Sequence, residues 1–166
     1  TVTAAGATAI SGLPAWAVQE NRDPIKIGFI GCGGRGTGAA NQALNASNSA
    51  VIWAMGDAFE DRLTSSMDSL VSEKGDRVVV PKDRQFVGFD AYQKVIDSGV
   101  DMVILTTPPH FRPAHIAAAV KAKKHVFCEK PMAVDGSGVR SVMESAQVAK
   151  ANDTNLMSGF CWRYNY

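Results

Sequence analysis

The sequence predicts an α/β fold with a doubly wound parallel sheet, on three observations. Strand-length apolar runs alternate with helix-period segments from Ile25 onwards, the order that βαβ units produce. These runs are apolar at successive rather than alternate positions, which suits strands covered on both faces. The first run, Ile25 to Ile30, passes into Gly31-Cys32-Gly33-Gly34-Arg35-Gly36, a Gly-x-Gly-x-x-Gly turn that opens into a helix-compatible stretch, Thr37 to Ala46.

That strand–turn–helix order is the dinucleotide-binding arrangement of the Rossmann fold. Gly31 permits the tight turn off the strand, Gly33 lets a pyrophosphate approach the backbone, and Gly36 lets helix and strand pack closely. The helix then aims its free N–H groups at the phosphates. Ala50 to Gly56 is a second buried strand and ends in Asp57, about two dozen residues past the first glycine, where a carboxylate can accept hydrogen bonds from a ribose. Asp57 would also repel a 2′-phosphate, favouring NAD over NADP, with Arg62 close enough to soften that preference. A helix cap for the segment beginning near Phe59 is the structural alternative for Asp57, and the two roles are compatible.

Phe59 to Lys74 has helical spacing, with Leu63, Met67, Leu70 and Val71 as its apolar stripe and Gly75 as its stop. Val78 to Val87, interrupted by Pro81, predicts a short or edge strand. Asp90 to Ser98 is a short helix with Tyr92, Val95 and Ile96 inward, and Asp101 to Leu105 a buried strand. It runs into Thr106-Thr107-Pro108-Pro109, where no ladder can continue because proline lacks an N–H. Helix Phe111 to Lys123 follows; His110 and His115 lack a third ligand at helical spacing, so no metal site is predicted. His110 reads as solvated or cofactor-facing, and His115 as packed.

His125 to Cys128 is a strand, and Glu129-Lys130 falls at its C-terminal end, the edge where doubly wound sheets bind ligands. A surface ion pair is the alternative for these two residues. Gly138 to Ala151 is an amphipathic helix through Val139, Val142, Met143, Ala146 and Ala149, and Leu156 to Phe160 a last strand. Trp162-Arg163-Tyr164-Asn165-Tyr166 ends the sequence on three large rings and an arginine.

The 166 residues suit one domain, and a net charge of +1 with scattered basic residues points away from nucleic acid. Cys32, Cys128 and Cys161 show neither metal nor disulfide spacing and read as small buried hydrophobes. Thr1 to Ala17 is uncharged and mildly apolar, too weakly so to span a membrane, and closes on Ala15-Trp16-Ala17. It reads as the back half of an export signal, giving a periplasmic address, with a disordered arm on a cytoplasmic protein as the alternative. The expected organisation is therefore residues 1–23 as this leader or arm, 24–160 as the NAD(P)-binding Rossmann domain, and 161–166 as the start of a linker to a missing C-terminal substrate domain.

Three features go beyond a generic dinucleotide fold: the Gly31–Gly36 loop, the Thr107-Pro108 turn, and Lys124-His125-Val126-Phe127-Cys128-Glu129-Lys130-Pro131. Together they resemble the glucose–fructose oxidoreductase / inositol dehydrogenase / rhizopine catabolism (Gfo/Idh/MocA) family over roughly Ile25 to Tyr166. The resemblance implies that Gly31, Cys32, Gly33, Gly34, Arg35 and Gly36 hold the cofactor pyrophosphate, and that Asp57, beside Arg62, holds the ribose. It implies that Thr107 and Pro108 line the pocket, that Lys130 stands beside nicotinamide and substrate with Glu129 orienting it, and that Trp162 and Arg163 reach the nicotinamide side. There are two departures. Arg112 occupies a position where histidine is common, and Lys123 stands where a glycine usually caps the helix.

The function so implied is the nucleotide-binding half of an NAD-dependent oxidoreductase, with NADP as the second cofactor, acting on a secondary hydroxyl of a sugar or cyclitol. Lys130 is the catalytic residue, no membrane partner is expected, and the full-length protein is expected to be a homo-oligomer. The alternatives are an NAD-dependent glycoside hydrolase and a non-catalytic dinucleotide-binding sensor.

Overall fold

The computed structural model describes residues 23–164. The export-signal reading of Thr1 to Ala17 lies outside the described residues, as do Asn165 and Tyr166.

Six parallel strands form one sheet in the order β3-β2-β1-β4-β5-β6: β1 (Ile25–Ile30), β2 (Ala50–Asp57), β3 (Gln85–Val87), β4 (Met102–Leu105), β5 (His125–Glu129) and β6 (Leu156–Gly159). Among the described residues five α-helices connect them: α1 (Gly34–Ala46), α2 (Glu60–Lys74), α3 (Ala91–Asp97), α4 (Arg112–Lys121) and α5 (Gly136–Ala151). The doubly wound prediction holds, and strand order reverses between β1 and β4, which opens a crevice at their C-terminal ends.

The sheet has a core on each face. Ile27 and Phe29 of β1 pack with Leu44 of α1 and Leu63 and Leu70 of α2, whereas Ile30 packs with Val95 and Ile96 of α3 and Ile116 of α4. Alternate residues of one strand thus feed both cores, which is why the strands carry no polar stripe.

Several boundaries move. α1 starts at Gly34, inside the glycine turn, rather than at Thr37. The expected strand from Val78 to Val87 reduces to a single bridge at Val78 opposite Ile52, a 3₁₀ turn over Lys82–Arg84, and the edge strand β3. Pro81 cannot donate to a ladder, so pairing resumes only beyond it. On α2, Val71 is exposed and Ser66 is buried instead, its hydroxyl 2.7 Å from that of Thr37.

On α5, Val139 and Met143 point outwards, Met143 being 64% exposed, and Ala146 is exposed too. The packed side runs through Val142, Ser145 and Ala149, and α5 lies against α4 there. The start of α5 at Gly136 is fixed by Asp135, whose Oδ1 accepts the Gly138 N–H at 2.7 Å. Lys123 takes a φ of 58°, so this lysine itself adopts the left-handed conformation that glycine would hold more easily. Cys32 and Cys128 are buried as expected, but Cys161 is exposed.

Candidate functional site

The glycine turn is built by close approach. Gly31 has a φ of +97°, and a Cβ there would lie 2.7 Å from the Thr107 nitrogen. A Cβ on Gly36 would fall 1.8 Å from the Gly31 carbonyl oxygen, so the first turn of α1 rests directly on the strand end. Gly33 is the opposite case: its Cβ direction has nothing within 4 Å. Gly33 precedes α1 as its cap residue and carries no capping side chain, so the leading N–H groups of the helix face the crevice without an intrahelical acceptor.

Across the switch point, Thr106 locks this turn. Its hydroxyl donates toward the Gly31 carbonyl at 2.6 Å and lies 3.0 Å from that of Ile30, while its N–H donates to Ile30 at 2.9 Å. Sequence reasoning chose Thr107 and Pro108 and missed Thr106; the tandem threonines after β4 were the available signal.

Asp57 holds the turn from the other side. Its Oδ2 accepts the Cys32 N–H at 2.6 Å and its Oδ1 the Phe59 N–H at 3.0 Å. The second bond spans two residues and makes an Asx turn ahead of α2 rather than a helix cap. A carboxylate has about four acceptor positions, so roughly two remain open. Cys32 was expected among the cofactor contacts, but its amide serves Asp57 and its buried thiol lies 3.5 Å from the Gly56 carbonyl. Burial, reinforced by the Asp57 charge, raises that thiol far above its usual range, so Cys32 supports the loop as a neutral group.

Of the cavities beside the turn, two meet at Thr106. One, of about 290 Å³, lies over Gly31, Gly33 and Asp57 and is walled by Phe59, Phe89, Tyr92 and Phe111, with Arg62 and Pro108 at its lining. His115 stands in that wall, its ring stacked on Tyr92 at 4.2 Å between centroids and its Nδ1 3.4 Å from the Thr107 hydroxyl. Burial pushes the imidazole from its ordinary 6.5 down to about 4.

At neutral pH His115 is therefore uncharged in both the folded and the unfolded chain. Below about pH 6.5 only the unfolded chain takes up the proton. Stability on this account is complete above 6.5 and is lost as pH falls toward 4. The loss is on the order of 2–3 kcal/mol at about pH 4.5. His115→Phe keeps the stack and removes the proton site, so its urea midpoint should fall less between pH 7 and 4.5 than the wild type's. Equal falls would show that His115 does not carry the dependence.

The second cavity, of about 920 Å³, lies on the other side of Thr106 and is lined by Arg35, Arg112, Glu129, Lys130, Trp162 and Arg163 among others. Lys130 is exposed there, directly past the end of β5, and no hydrogen bond to its ammonium is formed among the described residues. The Lys130-Pro131 peptide is cis.

Glu129 is only 5% exposed and neither orients Lys130 nor pairs with it at the surface. Its Oε1 accepts from Arg35, through Nε at 2.8 Å and through a second, closer guanidinium contact. Arg35, expected to hold the cofactor, thus directs its side chain at Glu129. The reason is burial: a carboxylate withdrawn from water needs a cation, and the glycine turn brings one across from 94 residues away. Trp162, 88% exposed, and Arg163, whose guanidinium lies 5.7 Å from the Phe160 ring centre, stand at the open side of this cavity.

Arg112, absent from the expected set, is buried and donates to three main-chain carbonyls, those of Thr107, Glu129 and Pro131, at 2.7, 2.6 and 2.5 Å. A cation at the first residue of a helix opposes the helix dipole, and that local conflict was its signal in the sequence. Cys128 beneath it is pushed up to about 12 by burial. No cluster of His, Cys, Asp or Glu among the described residues could hold a metal ion, and no described helix is long and apolar enough to cross a membrane.

The chain is similar to known proteins over this region. Residues 25–160 match the model of an oxidoreductase family with an NAD-binding Rossmann fold, Gfo/Idh/MocA. A myo-inositol 2-dehydrogenase of Thermotoga maritima is 31% identical over 141 residues, covering 85% of this chain and 37% of that protein. An inositol 2-dehydrogenase of Salmonella typhimurium is 28% identical over 142 residues, 38% of its length. Among solved structures, a probable dehydrogenase from Thermotoga maritima superposes with a TM-score of 0.66 at 30% identity, covering 84% of this chain and 37% of that one.

The scyllo-inositol dehydrogenase from Lactobacillus casei with bound NAD(H) and scyllo-inositol shares the fold at a TM-score of 0.68 and 24% identity, over 86% of this chain and 38% of that one. The chain thus spans under two-fifths of the length of these relatives. With the glycine turn, the switch-point crevice and this match agreeing, the chain belongs to the Gfo/Idh/MocA oxidoreductase family and contains its NAD-binding Rossmann domain.

Proposed function

We propose that this chain is the cofactor-holding half of an NAD-dependent oxidoreductase acting on a secondary hydroxyl of a sugar or cyclitol, with Lys130 as the catalytic cation. One observation carries the reading: Lys130 lies just past the C-terminal end of β5, at the rim of the cavity that shares Thr106 with the glycine turn. A nucleotide lying across the switch point would run from one cavity to the other, leaving its reactive ring on the lysine side.

The residues fit such a nucleotide. The open space over Gly33 admits a phosphate against the backbone, and the leading N–H groups of α1 offer it donors. Asp57 keeps acceptor positions for ribose hydroxyls, and the aromatic wall of Phe59, Phe89, Tyr92 and Phe111 suits a flat base. Thr107 and Pro108 shape the floor between, Arg62 stands at the ribose end, and Trp162 and Arg163 close on the nicotinamide side. When bound, nicotinamide supplies the hydride chemistry. Lys130 would stand as an ammonium beside the reacting hydroxyl and favour the alkoxide-like oxygen that develops as the hydroxyl proton leaves to a general base outside the described residues.

The deciding experiment gives the full-length protein NAD⁺ with a panel of cyclitols and aldoses and follows NADH fluorescence. NADH formation with at least one of them is expected; tight NADH binding without turnover of any would leave a binding protein and remove the enzyme. Asp57→Asn should weaken NAD⁺ about tenfold while narrowing the preference over NADP⁺, because the repelling charge is gone. An unchanged NAD⁺/NADP⁺ ratio of Kd values would take Asp57 out of the ribose site.

A periplasmic address is supported by Thr1 to Ala17 alone, and recovery of the protein with the cytoplasmic fraction would refute it. The expected homo-oligomer rests on the family resemblance, and light scattering on the full-length protein decides it.

A further inference from the structure

Arg112 is a cation in an expensive place. It is 6% exposed, it opens α4 at the positive end of the helix dipole, and burial holds its pKa below the usual guanidinium value. Among the described residues it forms no ion pair with a carboxylate. Its compensation is main-chain oxygen: Nε donates to Thr107 at 2.7 Å, and one terminal nitrogen donates to Glu129 at 2.6 Å and Pro131 at 2.5 Å. The last two carbonyls lie on either side of Lys130, and the first belongs to the turn after β4.

The sheet itself stops short of this point. Pairing between β4 and β5 ends at Leu105 opposite Cys128, so on that side no strand partner reaches Glu129, Lys130 or Pro131. The guanidinium takes over where the ladder ends, bridging the β4 turn to the chain around Lys130. Two arginines hold Glu129, Arg35 at its carboxylate and Arg112 at its carbonyl. Arg35 reaches it from the glycine turn, so both walls of the crevice converge on the residue before the lysine.

We propose that Arg112 is the positioning residue for Lys130, fixing the peptide unit that enters it and the one that follows the Lys130-Pro131 peptide through one guanidinium bonded to the carbonyls of Thr107, Glu129 and Pro131. The proposal rests on the assignment of Lys130 to the reacting hydroxyl. The planar fork is what the role demands: donors leave it in fixed, diverging directions and reach two loops at once. A lysine ammonium is a single point on a flexible stem and cannot span them.

The test uses full-length wild type, Arg112→Ala, Arg112→Lys and Lys130→Ala. Hydrogen exchange at Lys130, Met132 and Ala133 should speed up about tenfold or more in both Arg112 variants, with strand β1 unchanged as the internal reference. Turnover should fall about a hundredfold, the scale of a small misplacement of a reacting group, with NADH affinity within about threefold of wild type. Millimolar guanidinium should restore part of the Arg112→Ala loss, and urea should not. Should Arg112→Ala fail to fold, Arg112→Lys, which keeps charge and most of the volume, yields the same readings.

Unchanged exchange at residues 130–133, or a rise shared equally by β1, would overturn the proposal and leave Arg112 a general stabiliser. Full turnover in Lys130→Ala would instead remove the assignment of Lys130, an outcome distinct from either exchange result.

Discussion

Gly36→Ala is expected to lower the stability of the domain by about 3 kcal/mol or more and to weaken NADH binding about a hundredfold. The added methyl would lie 1.8 Å from the Gly31 carbonyl oxygen and 2.7 Å from the Thr106 hydroxyl. A flexible side chain could swing away, but the first of these atoms is main chain at the end of β1. The helix must lift off the strand, and the N–H groups of its first turn move with it. Fold and binding are therefore lost together.

Gly33→Ala should separate the two. Its backbone is extended, with a φ of −71°, and the new methyl meets nothing within 4 Å, so the melting temperature should not move. NADH affinity should still fall, because the methyl would stand where a phosphate approaches the turn. Thermal melts and fluorescence titrations of both variants decide the matter. Wild-type affinity in Gly33→Ala would mean that no phosphate passes over that residue.

The second large effect is on chemistry alone. Lys130→Ala is expected to cost about two to four orders of magnitude in kcat, the range for a positioned proton-transfer or charge-stabilising group. The side chain is exposed and bonded to nothing among the described residues, so its removal should leave the melting temperature and NADH affinity near wild type. Lys130→Arg should not rescue, because a broad guanidinium cannot take the place of a compact ammonium next to the reacting oxygen. A kcat within about threefold of wild type in Lys130→Ala would remove the lysine from the mechanism.

What the sequence determined by itself was whatever depends on local pattern. The alternation of apolar runs and helix-period segments, the glycine spacing, and the position of Asp57 and Lys130 at strand ends specify a doubly wound sheet and its ligand-binding edge. These are properties of a few neighbouring residues, because strand burial, turn geometry and helix start are set within a handful of positions. The errors were of the same local kind in reverse. Val139, Met143 and Ala146 look as apolar as Val142 and Ala149, and only the packing of α5 shows that the first three are exposed and that Ser145 is buried instead.

What the tertiary structure decided was the pairing of groups far apart along the chain. Glu129 and Lys130 are neighbours that read as partners, yet β5 and the turn after it send one inwards to Arg35 and leave the other at the cavity rim. Cys32 sits inside a phosphate-binding motif, yet folding gives its amide to Asp57. Arg112 read only as a departure from the histidine common at its position, yet folding brings three carbonyls from two loops around it. Each buried polar group takes the nearest partner the fold delivers, and a burial cost of several kcal/mol per ion makes that choice binding. Sequence spacing does not record such partners, because they come together only when the sheet closes.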